Sequence, residues 1–335
     1  MGLDFFEPIA SSLLPSLHMR ICSLLPGATE VVAALGLADD LVGISHECDY
    51  PPEVKNTPVM IQAAIDAERS SSPDIDRQVR AALETGRHLY ALEADRFARA
   101  QPDLVITQDL CHVCAITPDQ LQHAIGALPK PPRLLSLNPT TLDQVLTDVE
   151  RIGEATGRET RARTLAAELR DRLQSIRTRV AQVRERPQVV CLEWLAPLYA
   201  AGHWVPEMVA WAGGVDALGV AGAVSTQVTR DQVVAAGPEV LVLMPCGFTL
   251  NRTLRELERL PVDFSRPGWQ TLPAVRTERV FAVNASAYFS RPGPRLVDGV
   301  AMLAALCHPS VFGGAVPPEV RRVNLFEQDP MLRAR

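Results

Sequence analysis

Apolar residues recur at helical spacing through residues 141–184, with charged residues on the opposite face. On both sides of this stretch, short apolar runs typical of buried strands alternate with helical segments. Such alternation indicates βαβ units, which assemble into a parallel sheet. A crossover helix inside such a unit does not need this length. The sequence therefore predicts an α/β protein with two Rossmann-like lobes, each with a parallel sheet, joined by a long inter-lobe helix that Gly153 and Gly157 could bend or break.

The boundaries of these parts follow from the same pattern. An N-terminal lobe is predicted over 19–140, a connecting helix over 141–186 and a C-terminal lobe over 187–312, with extensions at 1–18 and 313–335. The predicted strands are 19–26, 41–45, 102–107, 133–137, 188–194, 239–244 and 279–283. The polar stretch 66–78 is predicted to be a loop that leads into a helix carrying 79–83.

Charge and hydropathy restrict the partners and the location. The 335 residues carry a formal net charge of −6 and no basic run, so nucleic acid is not an expected partner. No stretch approaches 18 uninterrupted apolar residues, so the protein is not expected to be membrane-embedded. At the N-terminus, Asp4 and Glu7 precede the first basic residue, Arg20, and prolines interrupt the apolar stretch. This is not the pattern of an export signal, so we expect a cytoplasmic protein.

Polar and aromatic residues follow the predicted strands at the points where they end. In an open α/β sheet, ligands bind beyond the carboxyl ends of the strands, so these residues are predicted to bind a ligand. They are His46, Glu47, Tyr50, Gln108, Asp109, Glu193, Trp194, His203, Trp204, Phe248, Tyr288 and Arg291. The aromatic members suggest an apolar wall for a planar ligand, or side chains that close the ends of the lobes. Arg291 and Arg295 could pair with ligand carboxylates or with acidic residues of the facing lobe.

Four cysteines stand beside polar residues and are predicted metal ligands: Cys48, Cys111, Cys114 and Cys246. The C-x-x-C spacing of 111–114 lets two thiolates reach one zinc or iron ion, and a histidine such as His46 or His203 could complete the set. The alternative is that the 111–114 cysteines are small residues at the start of a helix. Three other cysteines lie in apolar runs and are predicted core thiols, and the odd total of seven argues against a disulfide framework. Since no G-x-S-x-G nucleophile pattern occurs, ligand binding is favoured over catalysis.

Several longer motifs resemble a known family. The segment RICSLLPGATE at 20–30 is similar to the opening motif of the class III periplasmic-binding-protein family, which serves iron-siderophore and vitamin B12 transporters. The likeness extends over about 20–309 and is closest to the branch labelled cobalamin-binding protein. Further motifs of that branch match at 45–51, 107–114, 191–194, 201–208, 244–248 and 286–295.

The resemblance implies a binding protein for a corrinoid, such as cobalamin, or for another metal-chelate ligand. It also implies that the ligand lies in the inter-lobe cleft, and that the connecting helix limits closure of the lobes. Members of the family are periplasmic or lipid-anchored, whereas the N-terminal pattern here favours the cytoplasm. We therefore expect use inside the cell with a cytosolic partner, or with an ABC importer. The alternative hypothesis is a cytosolic metalloprotein or metal-dependent enzyme with Cys, His and Glu ligands in the same cleft.

Overall fold

A computed structural model describes residues 18–108, 118–260 and 268–325. The N-lobe contains, in chain order, β1 (Ile21–Ser23), α1 (Pro26–Ala34), β2 (Leu41–Ile44), β3 (Ile61–Ala63), α2 (Ser72–Thr85), β4 (Tyr90–Leu92), α3 (Ala94–Ala100), β5 (Leu104–Thr107), α4 (Pro118–Gly126) and β6 (Arg133–Ser136). Its main sheet is parallel throughout, in the order β2-β1-β5-β6. These four strands lie within the predicted apolar runs.

Two features of the N-lobe differ from the sequence prediction. The short strands β3 and β4 form a separate antiparallel pair, which the sequence did not indicate. Helix α2 begins at Ser72, inside the predicted loop 66–78. It begins there because the Ser71 side chain accepts a hydrogen bond from the Asp74 backbone N–H and so caps the helix.

The connecting segment is helical, as predicted, but it forms two helices. These are α5 (Leu142–Thr156) and α6 (Glu159–Ala181). Gly157 adopts a left-handed conformation (φ 68°) after α5 and ends that helix. The two helices then pack closely, since a Cβ at Gly153 would lie 2.2 Å from Cβ of Ala162.

Both connector helices enter the cores of both lobes. Part of each helix packs in the N-lobe core, through Val149, Ile152, Ala155, Ala162 and Ala166. The other part packs in the C-lobe core, through Leu142, Val145, Leu146, Leu169, Leu173, Ile176 and Val180. The Glu207 carboxylate of the C-lobe also accepts the backbone N–H of Leu142 at 2.8 Å. The connector is therefore built into each lobe.

The C-lobe contains β7 (Gln188–Leu195), β8 (Leu198–Ala200), α7 (Val205–Trp211), β9 (Val215–Asp216), β10 (Thr226–Gln227), α8 (Arg230–Ala236), β11 (Val240–Leu243), α9 (Leu250–Arg259), α10 (Pro273–Arg276), β12 (Val280–Val283), α11 (Ala285–Tyr288), α12 (Leu296–Cys307) and β13 (Val320–Arg322). Strands β7, β11 and β12 are parallel neighbours, and β9 pairs parallel to β7. Antiparallel strands β8, β10 and β13 extend the sheet at its two edges, so it is mixed rather than wholly parallel. Strand β13 comes from the stretch predicted as a C-terminal extension.

The core of each lobe lies against its sheet. Within the described ranges, no helix is both long enough and apolar enough to cross a membrane. The loop after β2 meets the segment after β12 where the two lobes face each other, since Arg291 hydrogen-bonds Asp49.

Candidate ligand-binding site at the strand ends

Three loops of the C-lobe are tied to one another at the ends of β7, β11 and β12. The backbone N–H of Cys246 donates to the Glu193 carbonyl at 2.9 Å. The Gly247 N–H donates to the Ser290 hydroxyl at 3.1 Å, and the Ser286 N–H donates to the carbonyl of the residue after Gly247 at 3.0 Å. These bonds bring residues from three separate stretches of sequence into one surface.

Trp194 and Phe248 form an aromatic pair on this surface. Their ring centroids lie 5.4 Å apart with the planes at 59°. Phe248 is only 4% exposed, and the Arg252 guanidinium lies 4.1 Å from its ring centroid. Trp194 is partly exposed. Trp194 can therefore present an aromatic face to a ligand, while Phe248 supports it from behind.

His203 and Trp204 lie together before α7, with ring centroids 5.7 Å apart. The Trp204 indole N–H donates to the Phe289 carbonyl at 2.8 Å, and its ring packs against the C-lobe core. Trp204 thus has a structural partner. His203 has a left-handed backbone (φ 52°), and burial lowers the pKa of its imidazole, which favours the neutral form.

His46 lies in the loop after β2, on the N-lobe side. Its ring is 5.4 Å from that of Tyr90, and its Nε2 is 3.7 Å from Glu47. Burial lowers the pKa of His46, and the Glu47 carboxylate opposes this effect. A neutral imidazole keeps a nitrogen lone pair that can coordinate a metal.

Arg291 joins the loop after β12 to acidic residues of the N-lobe. It is 7% exposed and hydrogen-bonds Asp49 and, at 2.8 Å, the Ser286 hydroxyl. Glu47 lies 3.6 Å away, and Glu30 lies 3.9 Å away. Of the two roles considered for Arg291, the structure shows pairing with carboxylates of the facing lobe.

Arg295 and Glu30 form a second bridge between the lobes, which the sequence did not single out as a pair. The guanidinium donates to both carboxylate oxygens of Glu30, at 2.5 and 2.9 Å. Arg295 also lies 4.2 Å from the ring centroid of Tyr50 and 5.7 Å from that of Tyr288. Burial raises the pKa of Glu30, and the Arg295 hydrogen bond opposes the shift. The sequence predicted an acidic partner for Arg295 in the facing lobe but did not identify it as Glu30, which follows the end of β1 in the first turns of α1.

The predicted cysteine-ligated metal centre finds no support in the described ranges. There, no three His, Cys, Asp or Glu residues are placed to hold a metal ion. Cys48 packs in the N-lobe core beside the Thr29 hydroxyl, at 3.1 Å, and burial raises its pKa to about 11. Its place in an apolar core does not resemble a metal site, where several ligand side chains converge on one ion. Cys246 is exposed on the loop after β11.

Four of the predicted site residues do not take part in the contacts described above. Asp109, Cys111 and Cys114 lie outside the described residues, so their roles remain predictions. Gln108, at the end of β5, is partly exposed.

Comparison with known proteins gives a consistent result. A family model described as "Periplasmic binding protein" matches residues 21–287. The chain is 25% identical over 293 residues to the vitamin B12-binding protein of Vibrio cholerae serotype O1, covering 84% of this chain and 86% of that one. It is 24% identical to the uncharacterized ABC transporter substrate-binding lipoprotein YvrC of Bacillus subtilis, covering 88% and 81%. The solved periplasmic heme-binding protein RhuT from Roseiflexus sp. RS-1 superposes with a TM-score of 0.64 at 24% identity, covering 88% and 99%.

These relatives correct the expected location. The prediction of a cytoplasmic protein is wrong, because the matched proteins are periplasmic or are substrate-binding lipoproteins. That prediction rested on the composition of the first 20 residues alone. The relatives point to a position outside the cytoplasm.

Proposed function

The chain belongs to the periplasmic binding protein family, and on that premise we propose that it binds a planar metal chelate between its lobes. The proposed ligand is a corrinoid such as cobalamin, or a heme-type ring, which the protein presents to an ABC importer. The observation that carries the proposal is the Trp194 ring, partly exposed at the strand ends and supported by Phe248. A rigid aromatic face is suited to a large flat ligand.

The names of relatives agree with this ligand class. Curated relatives are named for vitamin B12, and solved structures of the same fold are titled as heme- and vitamin B12-binding proteins. Both ligands are metal chelates of a large macrocycle. The lipoprotein relative is titled as an ABC transporter substrate-binding protein, which supports an importer as the partner.

Two histidines are suited to coordinate the metal of such a ligand. His46 lies on the N-lobe, and His203 lies on the C-lobe. Burial lowers the pKa of both imidazoles, so each favours the neutral form that can act as an axial ligand. We propose that one of the two supplies this bond.

The test is a titration of the purified full chain with hydroxocobalamin, cobinamide and hemin. Calorimetry measures binding, and the visible spectrum reports a new axial ligand. We expect saturable binding of at least one compound, with a spectral change that is lost in His46→Ala or His203→Ala. Neither heat nor a spectral change with any of the three would refute the proposal.

A further inference from the structure

Trp194 is the first of three side chains that lie in a row across the C-lobe sheet. Trp194 on β7 pairs directly opposite Tyr199 on β8, and Tyr199 pairs opposite Gln227 on the edge strand β10. Residues that pair across antiparallel strands place their side chains on the same face of the sheet. Because neighbouring strands lie about 4.8 Å apart, the row extends about 10 Å from Trp194 to Gln227.

This face of the sheet points toward α2 of the N-lobe. Arg80 of α2 donates to Oε1 of Gln227 at 3.4 Å, and Asp76 and then Tyr199 raise the pKa of the Arg80 guanidinium. Helix α2 therefore lies over the outer end of the row. Trp194 forms the inner end and is partly exposed, so a flat ring stacked on its indole could extend along this face toward α2.

An open groove lies at the outer end of the row, between α2 and the β8–β10 edge. Its volume is about 520 Å³, and its lining combines two C-lobe residues with four charged side chains of α2: Pro197, Gln227, Asp76, Arg77, Arg80 and Glu84. Acidic and basic groups are equal in number, and Arg80 Nε lies 2.7 Å from Asp76 Oδ2. The groove therefore offers hydrogen-bond donors and acceptors but no net charge.

The arginine that supports the aromatic pair is already bound by the protein. Arg252 lies over the ring of Phe248, and it donates to Glu256 at 2.7 Å and to the Ser70 carbonyl of the N-lobe at 2.6 Å. Glu256 also accepts the backbone N–H of Ser72 at 2.6 Å. Groups of the protein thus satisfy both charges, and the guanidinium is not available to a carboxylate of a ligand.

The arginine cluster at the lobe boundary contains more acidic than basic groups. Arg291 and Arg295 together contact three carboxylates, those of Glu30, Glu47 and Asp49. The Glu47 and Asp49 side chains are 46% and 49% exposed, whereas Arg291 is 7% exposed. A carboxylate of a ligand would therefore meet like charge at this boundary, which disfavours its binding.

Planar metal chelates differ in the groups that surround the ring. Corrinoids such as cobinamide carry amide side chains, which are uncharged and supply both N–H donors and carbonyl acceptors. Heme carries carboxylates instead. A carboxylate is bound well by an arginine that lacks another acidic partner, whereas an amide can bind acidic and basic groups that are already paired with each other. The groove beside α2 therefore matches an amide better than a carboxylate.

We propose that the row Trp194–Tyr199–Gln227 and the groove beside α2 bind a ring with uncharged amide side chains, and that the site discriminates against rings with free carboxylates. This inference rests on the proposed function and names the substrate class of that site. The ring stacks on Trp194, and its amides reach Gln227 and the charged side chains of α2. A bound carboxylate would have to displace a protein carboxylate from its arginine, and the displaced group would lose its partner.

Two corrinoids with the same ring and different side chains test the discrimination. Cobinamide carries amides, whereas cobyrinic acid carries carboxylates. In calorimetry on the full chain at neutral pH, we expect cobinamide to bind at least about tenfold more tightly than either cobyrinic acid or hemin. Equal or tighter binding of cobyrinic acid, or binding of hemin alone, would overturn this inference and leave the proposed function in place. Absence of binding to all three would refute the proposed function and this inference with it.

A charge reversal in the groove tests whether the groove belongs to the site. Glu84 is exposed, and Glu84→Lys adds a cation to the lining. We expect the affinity for cobyrinic acid, relative to that for cobinamide, to rise about tenfold. Glu154→Lys is the matched control, because it makes the same change at an exposed position of α5. An unchanged ratio in Glu84→Lys, or an equal rise in both variants, would exclude the groove from the binding site.

Discussion

The backbones of Gly27 and Gly293 are in contact where the two lobes meet. A Cβ at Gly293 would lie 3.0 Å from Cα of Gly27, and a Cβ at Gly27 would lie 2.2 Å from the Pro292 carbonyl oxygen. The contact joins the start of α1 to the segment before α12. It lies in the same part of the boundary as the Glu30–Arg295 bridge, since Glu30 is also in α1.

Gly27→Ala should separate or strain this contact, because the obstructing atom is backbone and cannot rotate away. We expect a loss of about 1–3 kcal/mol in the free energy of unfolding, measured by urea denaturation. Gly126→Ala is the control, since a Cβ at the end of α4 meets open space. It should change stability by less than about 1 kcal/mol. Equal effects of the two substitutions would contradict the close contact.

The stability of the protein should depend on pH through Glu30. Burial raises the pKa of this carboxyl, so the folded protein holds the proton to a higher pH than the unfolded chain does. Deprotonation therefore favours the unfolded chain as the pH rises through the folded-state pKa. We expect the free energy of unfolding of the native protein, relative to Glu30→Gln, to fall as the pH rises from about 4, the ordinary pKa of a glutamate, through the raised folded-state pKa. A constant difference across this range would show that Arg295 fully offsets the burial of Glu30.

Replacement of Trp194 should affect ligand binding more than stability. Trp194→Leu removes the aromatic face, and we expect binding of hydroxocobalamin or hemin to weaken about tenfold, or ~1.4 kcal/mol. Trp211→Leu is the matched control, because Trp211 is also partly exposed but packs under Arg177 of the connector. Calorimetry on both variants measures the two affinities. Equal weakening in both would argue against a specific role for Trp194.

Trp204→Phe should lower the stability of the protein more than its affinity for the ligand. The substitution removes the indole N–H that binds the Phe289 carbonyl but keeps most of the ring packed on the C-lobe core. We expect a loss of about 1–3 kcal/mol in the free energy of unfolding, because the buried carbonyl loses its partner. Affinity for the same ligands should stay within about twofold of native. A large loss of affinity without a loss of stability would show that Trp204 contacts the ligand and does not mainly stabilise the C-lobe.

The cysteines should differ in their reaction with iodoacetamide in the native protein. Burial raises the pKa of Cys48 to about 11 and that of Cys307 to about 12, so both remain thiols at mildly alkaline pH. Cys246 is exposed and should be alkylated before Cys48 and Cys307. Mass mapping after brief labelling measures this order. Rapid modification of Cys48 would indicate that its surroundings open readily.

The secondary-structure elements that the sequence predicts well are those set by a local pattern of apolar residues. Strands such as β5 and β11 are continuous apolar runs that follow a proline and an acidic residue, and the period of the connector marks it as helical. The sequence offered both Gly153 and Gly157 as places for a bend or break and could not choose between them, because only the packing of α5 on α6 favours a sharp turn at Gly157. The edge strands β8, β10 and β13 have two or three residues each, and pairing rather than composition defines them.

The contacts between the lobes could not be predicted in the same way. The segment of α9 that includes Arg252 and Glu256 has the composition of an exposed helix, and both residues are buried only because the N-lobe covers them. Likewise, Glu30 and Arg295 are 265 positions apart, and nothing local pairs them. The candidate site residues were predicted from their place after strands, whereas their partners depend on how the lobes meet.

The placement of α5 and α6 in both cores has a consequence for how the molecule comes apart. A cut within either helix would take side chains from both cores at once, so neither lobe should survive as an independent fragment. We expect the protein to unfold on heating in a single cooperative transition, although it has two lobes. The two lobes and their connector then form one cooperative unit of unfolding.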